Sequence, residues 1–162
     1  MLSRPHPSLL AILLSLCLTA LLPVPTRAAS THELLASFSS APQHPGAGAL
    51  AQGGDGYYWG TTPDGGAYGF GTIYKVKADG SDWQVVLSFT GNGASNTGSY
   101  PFGGLVSDGG GTLWGTTYFG GTGSSGTVFK VNEATGVLTT LVEFTGVGGN
   151  NKGSYPYAAL VS

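Results

Sequence analysis

Cysteine is nearly absent from this chain: Cys17 is the single one in 162 residues. It lies in an apolar N-terminal stretch, so beyond that stretch neither a disulfide nor a thiolate metal site is available. Charge is sparse as well, at 9% Asp, Glu, Lys and Arg with a formal net charge of −2. Lysine and arginine form no basic patch, which argues against nucleic acid or anionic lipid as the main partner. A long hydrophobic run is also missing. The apolar segment Leu9–Leu22 falls short of the roughly 20 residues that a membrane-spanning helix needs. Nowhere do apolar residues recur with a helical period.

What the N-terminus does contain has a clear layout. Arg4 and His6 precede the apolar segment, and Pro23, Pro25 and the short "TRAAS" follow it. A positive region, an apolar core and small residues at a cleavage point make a secretory signal peptide, residues 1–28. Thr26 and Ala28 fit the small −3 and −1 positions, and Ala28 with Ser30 offers a second site. Leu16 stands where a lipobox wants a small residue, so simple cleavage is expected rather than lipid attachment at Cys17. All 29 glycines and all aromatic residues (3 Trp, 8 Tyr, 7 Phe) lie after residue 28. Aromatic and β-branched residues at this density predict an ordered, turn-rich β structure rather than a disordered glycine-rich tail.

The chain is internally repeated. Gly56–Ser107 laid over Gly111–Ser162 aligns without a gap and shares Trp-Gly-Thr-Thr, Gly-Gly, Gly-Thr, Lys-Val, Phe-Thr-Gly, Gly-Ser-Tyr-Pro and Leu-Val-Ser. Each copy reads as four short strands bounded by glycine: "GALAQ", "YYWGTT", "TIYKV" and "WQVVLSF" in the first, "FGGLVS", "TLWGTT", "TVFKV" and "VLTTLVEF" in the second. Before them "HELLASF" (His32–Phe38) matches only a fourth strand, and after them "PYAALVS" supplies only a first. The expected organisation is therefore a segment 29–44 holding a fourth strand, repeat 1 at 45–100, repeat 2 at 101–155, and the start of a truncated repeat 3 at 156–162. The fold class is all-β, with four-stranded antiparallel repeats of about 55 residues, each the size of a β-propeller blade. Two blades are too few for a ring, so the array is expected to be incomplete in this chain, a fragment of a longer product whose open sheet edges favour self-association.

The combination "LWGTT", "GG", "GTVFKV" and the "P…LV" lead-in resembles the GloVer-type tandem repeat of exported bacterial proteins. The resemblance covers about Phe38–Ser162 and implies an extracellular bacterial protein of propeller-like form, secreted or held at the cell surface. Such proteins typically carry a sorting anchor near the C-terminus, and it is expected to lie outside this chain. The resemblance brings no catalytic residue with it.

Candidate chemistry is thin. "GTGSSG" (Gly121–Gly126) satisfies a dinucleotide pattern, but it runs into the strand "TVFKV" instead of opening a helix. The acids Asp55, Asp79 and Asp108 each precede glycine, where turn formation explains them. "DGSD" (Asp79–Asp82) lacks the further ligands of a calcium loop, and His32 and His44 have no partner at a ligating spacing. No catalytic residue, metal site or cofactor is assigned. The candidate ligand-binding residues are Tyr100 and Tyr155, at loop–strand junctions beside Pro101 and Pro156, and the repeated lysines Lys75 and Lys130. Trp59 and Trp114 are read as packing. The expected function is a non-enzymatic binding or surface-display module, with an extracellular glycan or surface protein as partner. The alternatives are a carbohydrate-active hydrolase or lyase on a propeller scaffold, and a structural envelope spacer.

Overall fold

Alternation of Thr127, Phe129 and Val131 with Val128 and Lys130 sets the pleat of one strand, and its neighbours are built the same way. The structure, a computed structural model, describes residues 48–161, which lie within one compact unit, Leu34–Ser162. The leader, "HELLASF", His32 and His44 are outside the described residues.

Eight strands are present: β1 (Ala51–Gln52), β2 (Tyr57–Thr62), β3 (Thr72–Lys77), β4 (Gln84–Ser88), β5 (Val106–Ser107), β6 (Thr112–Thr117), β7 (Thr127–Asn132) and β8 (Leu138–Glu143). They form two antiparallel four-stranded sheets, ordered β1-β2-β3-β4 and β5-β6-β7-β8, with no helix among the described residues. Both sheets carry a register shift at the same repeat position, between Ile73 and Tyr74 and between Val128 and Phe129. The two repeats thus share topology and the same local irregularity.

The sheets pack front to back. The forward face of the first carries Trp59, Ile73, Leu87 and Phe89. The back face of the second carries Leu105, Leu113, Phe129 and Val131. Together with Ala51 these form one core. Phe89 and Phe129 meet edge to face at 5.4 Å between centroids. Burying side chains of this size contributes about 1.5–3 kcal/mol each, so the interface between the repeats, rather than either sheet alone, holds most of the hydrophobic stabilisation.

The repeated Gly-Thr-Thr has a separate reason at each position. Gly60 pairs across the ladder with Tyr74, and Gly115 with Phe129. A Cβ there would stand 2.5 Å from ring atoms of Tyr74 or Phe129, so the glycine makes room for a ring lying across its strand. The first threonine reaches forward, Thr61 Oγ1 donating to Gly103 O at 3.2 Å on the lead-in of the next repeat. The second closes the strand end: Thr62 and Thr72 hydroxyls bond at 2.8 Å, as do Thr117 and Thr127. The motif records packing within a repeat and attachment to the following one.

The innermost strands are shorter than the sequence implies. "GALAQ" yields only Ala51–Gln52, and "FGGLVS" only Val106–Ser107. The reason is close backbone approach: a Cβ on Gly104 would lie 2.8 Å from Ala49 O. The two lead-ins touch main chain to main chain, and that geometry is incompatible with a regular ladder.

Candidate functional site on the loop face

Antiparallel order puts the short turns of each sheet at one end and the long loops at the other. At the turn end, Asp55 accepts hydrogen bonds from Trp59 Nε1 and Tyr57 N, both at 3.1 Å, and pairs with Lys75 Nζ at 3.2 Å. Lys75 also lies over the Tyr57 ring, 4.2 Å from its centroid. Partial burial pushes the Asp55 carboxyl upward, but the bonds from Trp59, Tyr57 and Lys75 together outweigh it and hold the group below the ordinary aspartate range. A depressed native pKa adds stability that is fully present above the unfolded value of about 3.9 and disappears as pH falls through the native one. Acid unfolding measured by urea titration should therefore show a loss of midpoint below about pH 4, and Asp55→Asn should flatten that limb while lowering the midpoint at neutral pH.

Four other acids are committed in the same manner. Asp79 is held low by the Ser81 hydroxyl and amide, Asp82 by Tyr57 and Gln84, Asp108 by the amides of Gly110 and Thr112, and Glu143 by the Thr122 hydroxyl and amide. Buried Glu133 accepts from Gly54 N at 2.8 Å and so ties the second repeat to the β1–β2 turn of the first. None of these shifted carboxyls is pushed upward towards the range that a general acid at neutral pH requires. Among the described residues no group of three or more His, Cys, Asp or Glu could hold a metal ion.

At the loop end the picture changes. The first repeat's last loop returns along Gly98–Tyr100 and bridges to the second repeat's β6–β7 loop: Ser99 N donates to Phe119 O at 2.9 Å, Phe119 N to Ser99 O at 3.1 Å, and Tyr118 N to Tyr100 O at 3.1 Å. This clasp gathers six rings. Tyr100 meets Phe119 at 5.8 Å, Phe119 meets Tyr155 at 5.4 Å, and Tyr118 stacks on Tyr155 at 5.2 Å. Phe102 stacks on Tyr157 at 5.1 Å and stands edge-on to Tyr118 at 5.6 Å. The rings are not a core. Phe119, Tyr155 and Tyr157 are 40%, 46% and 62% exposed.

Beside the rings opens a cleft of about 300 Å³ between the loops of the two repeats, walled by Phe70, Tyr100 and Phe119 and lined by Asn92, Ser99 and Ser124. No charged side chain lines it. Asn92 Nδ2 donates to Ser124 Oγ at 3.2 Å across the cleft, joining loops from different repeats. Tyr100 and Tyr155 both hold positive φ, 55° and 57°. For a bulky non-glycine residue this costs on the order of 1–3 kcal/mol, and it occurs at the same position in both repeats.

Of the four residues singled out from sequence, Tyr100 and Tyr155 come together in this ring cluster through Phe119. Lys75 and Lys130 lie in the turn-end halves of β3 and β7, and join neither each other nor the rings. Lys75 is occupied by Asp55 and Tyr57. Lys130 is the cross-strand partner of Trp114 and is half-buried. Phe70, Phe102, Tyr118, Phe119 and Tyr157 went unread. The available signal was an aromatic directly after each Tyr-Pro, and the "YF" directly after Gly-Thr-Thr.

In comparison with known proteins, a family model described as a Gloeobacter/Verrucomicrobia repeat matches residues 25–162. No curated protein and no solved structure matches the chain.

Proposed function

The chain belongs to the Gloeobacter/Verrucomicrobia repeat family, and on that premise we propose that it is a non-enzymatic binding module of an exported array, with propeller-like blades whose loop face takes a neutral glycan. The observation that carries this reading is the cluster of six rings left partly open to solvent beside an uncharged cleft. Aromatic faces with a few hydroxyl and amide groups at the rim suit sugar rings, which present apolar C–H faces and polar edges. The absence of charge along the cleft favours neutral sugars over uronic or sulfated ones.

Two further features support binding over turnover. The carboxyls described above are bonded into turns, loops or the interface between the repeats, and none lines the cleft beside the rings. The left-handed backbone at Tyr100 and Tyr155 is a strained conformation kept in both repeats, and strain of that kind concentrates at ligand clamps. Secretion to the cell exterior, where such glycans are met, is part of the same proposal and rests on the leader at residues 1–28.

The test is a neutral-oligosaccharide array followed by calorimetry on the captured sugars. Binding without hydrolysis is expected, and Tyr118→Ala or Tyr155→Ala should weaken it at least tenfold, equivalent to about 1.4 kcal/mol. Turnover of a captured sugar, or equal affinity in both variants, would refute the reading.

A further inference from the structure

The cleft between the loops of the two repeats contains a polar group that the fold leaves unused. Ser99, which lines it, is only 4% exposed. Its main chain is engaged in the clasp, N donating to Phe119 O at 2.9 Å and O accepting from Phe119 N at 3.1 Å. Its hydroxyl has no hydrogen-bond partner among the described residues. No fully enclosed side-chain oxygen among them is left in that condition, so the Ser99 hydroxyl is not sealed in. It opens onto the cleft. Leaving a buried hydroxyl unpaired is costly, and alanine would fill the same space without that cost.

The mouth of the cleft carries an independent mark. Asn92 Nδ2 donates to Ser124 Oγ at 3.2 Å, which leaves the Asn92 carbonyl oxygen as an acceptor and the Ser124 hydroxyl proton as a donor. Ser124 holds a left-handed φ of 49°, where the first repeat has Gly69 at 78°. Both close the same turn, Gly69 N donating to Gly66 O and Ser124 N to Gly121 O. Glycine adopts that backbone freely and serine does not, so the turn accounts for Gly69 and not for Ser124. Asn92 is not a repeated residue either, since its counterpart is Val147. Both polar groups belong to this one cleft and to nothing that each repeat needs for itself.

We propose that Ser99, Asn92 and Ser124 determine the specificity of the loop face, and that they read two adjacent hydroxyls of a single neutral hexose unit seated in the cleft. The proposal rests on the glycan-binding reading above and adds which groups select the sugar. At about 300 Å³ the cleft lies at the lower end of small-molecule sites, so it takes one ring and not a length of chain. Tyr100 and Phe119 wall the C–H face of that ring. The Ser99 hydroxyl bonds one sugar hydroxyl at the floor, and Asn92 Oδ1 with the Ser124 hydroxyl bonds its neighbour at the mouth.

Amide NMR titration of the isotope-labelled chain with the methyl glycosides of glucose, galactose and mannose tests this. At least one is expected to bind and to shift the Ser99, Asn92 and Phe119 signals. Ser99→Ala should weaken that glycoside about fivefold, the worth of one hydrogen bond, while keeping the wild-type circular dichroism. Ser124→Gly installs the first repeat's own residue. It should weaken binding about threefold yet hold or raise the thermal midpoint, a combination that a merely structural serine would not give. Among the monodeoxy analogues of the bound glycoside, one should lose about fivefold on the wild type and nothing further on Ser99→Ala. Should Ser99→Ala fail to fold, Ser124→Gly, at an exposed turn position, carries the same comparison. The proposal is overturned if none of the three glycosides binds, if both variants bind like the wild type, or if every deoxygenation weakens wild type and variant alike. Oligosaccharide binding lost in Tyr118→Ala but unchanged in Ser99→Ala and Ser124→Gly would remove this proposal and leave the glycan-binding reading standing.

Discussion

Trp59→Ala is expected to lower the unfolding free energy by about 3–5 kcal/mol, and Trp114→Ala, the same change 55 residues later, by less than half of that. Trp59 is fully buried at the centre of the shared core. Its removal leaves a large cavity between the sheets, bounded by strands that a ladder holds in place and that cannot collapse freely. It also removes the indole N–H that Asp55 accepts at 3.1 Å, loosening the carboxylate that anchors Lys75. Against a typical total of about 5–15 kcal/mol, that is enough to leave the chain marginal at room temperature. Trp114 has the same strand, the same cross-strand lysine and nearly the same neighbours in sequence, but its outer side has little cover. Truncating it exposes less new apolar surface. Urea unfolding of the two variants side by side gives the ratio. Equal losses would mean that packing between the repeats is not what stabilises the fold.

How much of this was legible beforehand depended on how far along the chain each partner lies. Strand pleats are local, so the alternation in "TIYKV" and "TVFKV" put Tyr74 with Val76, and Phe129 with Val131, on one face of each strand without a structure. All four are buried, but so is Ile73 on the opposite face, which alternation does not distinguish. The glycine turns were legible for the same reason, including Gly121–Gly126, which leads directly into β7 and not into a helix. The ring cluster was not. Tyr118 meets Tyr155 37 positions later, only because the lead-in of one repeat folds back along the loop of the one before. Its neighbours Tyr118 and Phe119 correspond to Pro63 and Asp64 in the first repeat, so a search for repeated residues passes over them. Glu133 was missed likewise. Its partner Gly54 is 79 residues away, and its counterpart in the first repeat is Ala78. Repetition points to what every repeat needs in order to stack; whatever one repeat does by itself, or together with a neighbour, leaves no periodic trace.

Gly126 provides the second large effect, for a reason unrelated to burial. It closes the β6–β7 loop with φ of 99°, its N–H donating to Gly120 O at 3.0 Å while its carbonyl accepts from Phe144 N at 2.9 Å. Both of its main-chain groups are therefore fixed, and the residue cannot rotate into a permitted region without breaking them. A Cβ at this site would press against the Thr117 carbonyl oxygen and come within 2.7 Å of Pro156 Cδ and 2.9 Å of Tyr118 O. Two of these three atoms are main chain and the third belongs to a proline ring, so none can swing aside. Gly126→Ala should cost roughly 3 kcal/mol or more, combining left-handed strain with the forced shift of a strand end. Gly109 separates the two contributions. It too has positive φ, 70°, but nothing lies within 4 Å of a Cβ built there. Gly109→Ala should therefore carry the conformational cost alone, about 1 kcal/mol. Thermal unfolding of both variants decides the matter: Gly126→Ala no worse than Gly109→Ala would show that the loop yields to the methyl group and that the close approach of Thr117, Tyr118 and Pro156 does not constrain the ring cluster above it.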